Sequence, residues 1–195
     1  MKENKESSTR TRILETTWRL LESEPGHIPS MSKIAKETGL SRQAVYLHFT
    51  SRTDLLISTT QYVDEVKGLD ERLSKLAQSK SIEDKLSRFV EIWGGYIPEI
   101  YGVSKALIIS KETDEDAAEA WNEVMGCLRK ICLEITEELF SSNQLNSEWS
   151  PETGADFLWT LLSVHNWEQL VLICRWNQKG YICHLEKAIN RLLIL

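Results

Sequence analysis

Residues 34–56 read IAKETGLSRQAVYLHFTSRTDLL, and this stretch decides the fold. Its single glycine, Gly39, stands between two short segments whose apolar residues recur at helical spacing. Glycine takes the left-handed conformation that closes a helix at little steric cost, so Gly39 predicts a sharp bend. Ser41 follows two residues later, a side chain suited to capping the next helix. Leu40, Val45 and Phe49 are left to pack inward. Arg42, Gln43, Tyr46 and His48 have polar ends that do not build a core, and they predict an exposed face.

Working outward, Ser30 predicts a cap for the helix that carries Met31, Ile34 and Ala35 inward. A first helix should start near Ser8 or Thr9 and stop at EPGHIP (24–29), whose two prolines and glycine cannot continue it. Downstream of Thr50-Ser51, apolar positions from Leu55 to Leu76 keep helical spacing to about Ala77. Some 26 residues at 1.5 Å each make a rod of roughly 39 Å, a connector into a second domain. Further helices are expected after Ser81, after a break at Gly94-Gly95 and Pro98, and after a capping box at Thr113–Asp116. Ser150-Pro151 opens a nearly apolar helix through FLWTLLSVHNWEQLVLICRW (157–176), and Asn177 caps the last one. With no convincing strand, the chain reads as all-α. A flexible tail (1–7), a small helical head (8–60) and a larger helical body (61–195) are expected.

Composition bounds the function. The 195 residues are 42% hydrophobic and 27% charged, ordinary for a soluble globular protein. No apolar run approaches the ~20 residues of a membrane span, and MKENKESSTR has no apolar signal core, so a cytoplasmic protein without membrane contact is expected. Residues 1–60 hold nine Lys and Arg against seven Asp and Glu, while the net charge of the chain is −6. A slightly basic head on an acidic body is the asymmetry of a protein whose head alone meets a polyanion. Cys127, Cys132, Cys174 and Cys183 fall in apolar helical patterns and are expected to be buried free thiols. There is no GxSxG, P-loop or HExxH, so neither an enzyme nor a cofactor is expected. His165 and His184 lack spaced ligand partners and read as structural rather than metal-binding.

Two helices joined by a tight glycine turn, the second short and polar-faced, describe a helix-turn-helix. A short presented helix fits the major groove, where its N-terminal residues meet base edges. Arg42 can donate to guanine and Gln43 can pair with adenine. Tyr46 and His48 reach phosphates from the same side, and Arg52 opens the following helix. Ser32 and Lys33 lie near a helix N-terminus suited to a phosphate, and Arg10 and Arg12 can form a leading arm. The bland alternative is an αα-hairpin of a helical bundle with a solvated basic face.

The stretch SMSKIAKETGLSRQAVYLHFTSRTDLL (30–56) resembles the DNA-binding head of TetR/AcrR-type transcriptional regulators. Ile34-Ala35, Gly39, Tyr46, His48-Phe49, Arg52 and Leu55-Leu56 carry the likeness, which covers about residues 10–60. The resemblance implies phosphate contacts from Tyr46, His48 and Arg52, with Arg52 where lysine is commoner. It places Ser41 at the cap and Arg42, Gln43 and Ala44 toward the bases; Ala44 can at most touch a thymine methyl. It further implies an all-helical ligand-binding body and a homodimer on a double-stranded, pseudo-palindromic operator. It also implies a small-molecule effector, which releases the operator by moving the break and helix at 94–110 against the connector. DFLWTLLSVHNWEQLVLICRWNQKGY (156–181) resembles the penultimate helix and turn of many such regulators. Trp93, Tyr96, Tyr101 and Trp121 are candidate effector-pocket residues, and an acidic body with aromatics suits a cationic effector. An all-α small-molecule-binding or interaction protein, whose head no longer engages DNA, stays open as the alternative.

Overall fold

The computed structural model describes residues 2–195, with side chains from Ser8 onward. Residues 2–7 of the expected flexible tail are helical, because the first helix starts at Lys2 rather than near Ser8. Four helices build the head: α1 (Lys2–Ser23), α2 (Met31–Thr38), α3 (Arg42–Tyr46) and α4 (Arg52–Lys67). Ser30, Ser41 and Ser51 accept from the backbone N–H groups of Lys33, Ala44 and Asp54 at 3.2, 3.1 and 2.9 Å. Each cap satisfies a donor that the helix cannot, typically stabilising by about 1 kcal/mol. Gly39 closes α2 at φ 68°, and the Leu40 N–H returns to the Ala35 carbonyl at 2.9 Å. Ile13, Leu14, Leu20, Met31, Ile34, Ala35, Val45, Phe49 and Leu55 form the core under these helices.

The continuous rod to Ala77 does not form. Gly68 takes φ 63° and ends α4 as Gly39 ends α2; α5 (Leu69–Ser74) and a 3-10 turn (Lys75–Gln78) follow. Apolar spacing across 66–76 hid that stop. Conversely, the expected break at Gly94-Gly95 and Pro98 is absent, because α6 runs unbroken over Ile82–Ser110. Two of its glycines serve close approach rather than a turn. A Cβ on Gly94 would lie 3.1 Å from Ile182 Cγ1, and one on Gly102 only 2.5 Å from the Leu21 carbonyl oxygen. Pro98 has no N–H for the Gly94 carbonyl, and Gln178 Nε2 donates to that carbonyl instead at 2.7 Å.

α7 (Glu115–Ser141) is capped by Asp114, which accepts from Ala117 N at 3.1 Å, rather than by a Thr113 box. α8 (Pro151–Leu161) starts on a Ser150–Thr153 capping box. The apolar segment 157–176 is not one helix: Ser163 caps a new turn, α9 (Val164–Trp167), which passes into π-helix over Glu168–Ile173. Local hydrogen bonds compete with the helix there, since Asn166 Nδ2 donates to the Thr160 carbonyl at 2.6 Å. α10 (Gln178–Leu193) begins at the expected Asn177 cap. Among the described residues there is no strand, only an isolated bridge between Leu145 and Ile194.

The chain divides into two compact units, Met1–Gly68 with Ile100–Asn122 and Leu69–Glu99 with Glu123–Leu195. Within the first, the Gly102 N–H donates to both carboxylate oxygens of Glu22 at 3.2 and 3.3 Å. Burial pushes the Glu22 carboxyl above its ordinary value, against the pull of those hydrogen bonds and Lys67. Within the second, Arg72 makes a bidentate pair with Glu99 at 2.7 and 3.1 Å. No described helix is long and apolar enough to cross a membrane.

Candidate nucleic-acid interface

Burial of Val45 and Phe49 fixes which side of α3 faces out. Arg42, Gln43 and Tyr46 are exposed, while Ala44 and His48 are half-buried. The Ser41 cap puts Arg42, Gln43 and Ala44 in the first turn, with free backbone donors beside them. Arg42 lies over the Tyr46 ring at 5.4 Å, and its Nη2 donates to the Tyr46 hydroxyl at 3.4 Å. That pairing orders the guanidinium on the outer face, where a bidentate acceptor can meet its remaining N–H groups.

The flanking cations divide in two. Arg52 is exposed at the start of α4, and Arg12 and Ser32 are also exposed. Lys33 pairs with Glu24 at 3.5 Å on the surface. Arg10 is anchored on the head: its Nη2 donates to Ser58 Oγ at 3.2 Å, and its guanidinium sits 4.9 Å over the Phe49 ring. Sequence reasoning missed Leu47, which is 86% exposed at the end of α3. Its signal was periodicity, since Val45 and Phe49 point inward and leave positions 46 and 47 outward.

The resemblance is borne out by comparison. Residues 13–59 match the family described as bacterial regulatory proteins, tetR family. The head thus carries the signature of that family. The nucleoid occlusion factor SlmA of Marinomonas sp. (strain MWYL1) is 28% identical over 105 residues, covering 53% of this chain and 52% of that relative. The chain thus spans about half the length of the curated relatives it matches. A TetR transcriptional regulator from Chloroflexus aurantiacus superposes with a TM-score of 0.76 at 20% identity, covering 98% of this chain and 99% of that one. Native NalD, the secondary repressor of the MexAB-OprM multidrug efflux pump in Pseudomonas aeruginosa, gives 0.70 at 20%, covering 96% and 98%. At such identities the two structures speak for the TetR fold, body included.

In the body the four candidate pocket aromatics are all buried. Trp93 and Tyr96 fall in one unit, with ring centroids 5.9 Å apart, and Tyr101 and Trp121 in the other. The Trp93 indole N–H donates to the Leu162 carbonyl at 2.8 Å. An open groove of 640 Å³ along α6 and α10 is lined by Asp84, Arg88, Glu91, Lys179 and Glu186 among others, and by none of these aromatics. The thiols depart from expectation: only Cys132 is buried, its pKa pushed up to about 12 by desolvation, while Cys127, Cys174 and Cys183 are exposed. Apolar spacing alone did not tell the covered face of each helix from the open one. His165 and His184 are exposed too, His184 meeting the Trp176 ring edge-on at 5.4 Å. Among the described residues no group of three or more His, Cys, Asp or Glu is placed to hold a metal.

Proposed function

We propose that this chain is a one-component repressor that binds a pseudo-palindromic operator as a homodimer and is released by a small molecule held in its body. The observation that carries the reading is the serine-capped α3, presented beyond the Gly39 turn with Arg42, Gln43 and Tyr46 outward. Half-sites on such DNA lie about one helical turn (~34 Å) apart, which suits two symmetric heads. Support for a second copy comes from apolar side chains left open between α9 and the C-terminus: Leu172, Ile173, Trp176 and Leu192 are each 39% or more exposed. An effector that lowers operator affinity about a hundredfold must favour the non-binding state by about 2.7 kcal/mol.

The test is selection from a random duplex pool, with wild type beside Arg42→Ala and Tyr46→Ala. A palindromic consensus that both substitutions abolish is the expected result. No enrichment at low salt would overturn the reading and leave a helical small-molecule-binding protein with a structural head.

A further inference from the structure

The first turn of α4 has a partner far away in sequence. Thr53 Oγ1 donates to a carboxylate oxygen of Asp114 at 2.5 Å, and Ala117 N donates to the other oxygen at 3.1 Å. Asp114 is therefore both the cap of α7 and a tether on the head, within one compact unit. Thr53 adjoins Arg52, the exposed cation of that turn. The Thr53 hydroxyl, then the α7 backbone and the nearby Arg52 charge, hold the Asp114 carboxyl below its ordinary range, so it stays ionised beside that cation. Glu115 and Asp116 follow on the same turn of α7 and add to the negative field. A phosphate arriving at the N-terminus of α4 meets free backbone donors and Arg52, which favour it, and this carboxylate, which repels it.

We propose that Asp114 is a built-in brake on DNA binding: docked on Thr53, its carboxylate discounts the charge that Arg52 offers to a phosphate. This rests on the DNA-binding reading above. Asp114 is a positioning residue, acting through Arg52 and touching no nucleotide itself.

Fluorescence anisotropy of the selected operator duplex, titrated with salt, tests it on the full chain. Asp114→Asn keeps an N-cap acceptor and an acceptor for Thr53 while removing the charge. It is expected to bind two- to fivefold tighter at low salt, roughly the size of one near-surface charge pair. The gain should fade as salt rises, with a steeper dependence of log affinity on log salt than wild type. In an Arg52→Gln background the gain should shrink to the carboxylate's own repulsion of the phosphate, because the charge it mainly acts through is gone. Thr53→Val removes the tether but leaves the α7 cap, and should shift affinity in the same direction by less. Weaker binding by both Asp114→Asn and Thr53→Val would make the contact a support and overturn the brake. So would unchanged affinity, or a gain undiminished without Arg52. A wild-type protein that selects no duplex at all would instead sink the DNA-binding reading.

Discussion

Gln178 stands in for a hydrogen bond that Pro98 cannot make. Its Nε2 donates to the Gly94 carbonyl at 2.7 Å, four residues before the proline, and its Oε1 accepts from Trp167 Nε1 at 2.8 Å. A proline inside a helix leaves that carbonyl unpartnered and costs about 3 kcal/mol relative to alanine. Gln178→Leu should therefore destabilise by about 1–3 kcal/mol, the usual cost of stranding buried polar groups. In a Pro98→Ala background, where the helix regains its own N–H, the same change should cost about 1 kcal/mol less. Urea unfolding of the four proteins reads the cycle; equal costs in both backgrounds would refute the substitution of one donor for the other.

Two helical glycines should respond to alanine with opposite signs. At Gly102 the new Cβ would lie 2.5 Å from a backbone oxygen of α1, which cannot swing aside as a flexible side chain would. Gly102→Ala is expected to destabilise by about 1–3 kcal/mol through overpacking. At Gly126, within α7, nothing lies within 4 Å of the built Cβ, and Gly126→Ala should stabilise by about 0.5–1 kcal/mol. Thermal unfolding midpoints moving in the same direction would contradict this account.

Glu22 gives stability an acid-side signature. Its folded pKa lies above the ordinary 4.5, chiefly through burial. The folded protein therefore holds this proton more tightly than the unfolded chain. The contribution is favourable at low pH and is lost as pH rises from about the ordinary value through the raised one. Glu22→Gln should flatten that fall. Denaturant midpoints collected across the interval for both proteins check it, and identical slopes would show that Glu22 is not the group responsible.

Leu47 has no core to lose at 86% exposure, so Leu47→Ala should leave stability within about 0.5 kcal/mol of wild type. If the exposed side chain meets a thymine methyl, operator affinity should drop by about threefold to tenfold, as for partial loss of a buried leucine. Calorimetry alongside anisotropy separates the two effects. A loss of stability equal to the loss of affinity would assign Leu47 to the fold instead.

The head was legible in the sequence because its determinants are local. Ser30, Ser41 and Gly39 act on backbone groups within a few residues, so their roles follow from spacing alone. The exposed face of α3 was legible for the same reason, and Leu47 was overlooked because an apolar side chain on that face carries no polar signature. The placement of Asp114 beside Thr53, 61 residues away, had no local sign.

What the sequence by itself determined was the helical class, the capped helix-turn-helix and the polar face that α3 shows. The tertiary structure decided where the long helices stop. Gly94, Gly95 and Pro98 have the local propensity of a break, yet α6 continues through them. Ile182 packs at Gly94, and Gln178 supplies the donor that proline lacks. Gly68, embedded in an apolar repeat, ends α4 instead. Local preferences are worth about 1 kcal/mol for glycine and about 3 for proline, and partners brought in by the fold can outweigh them.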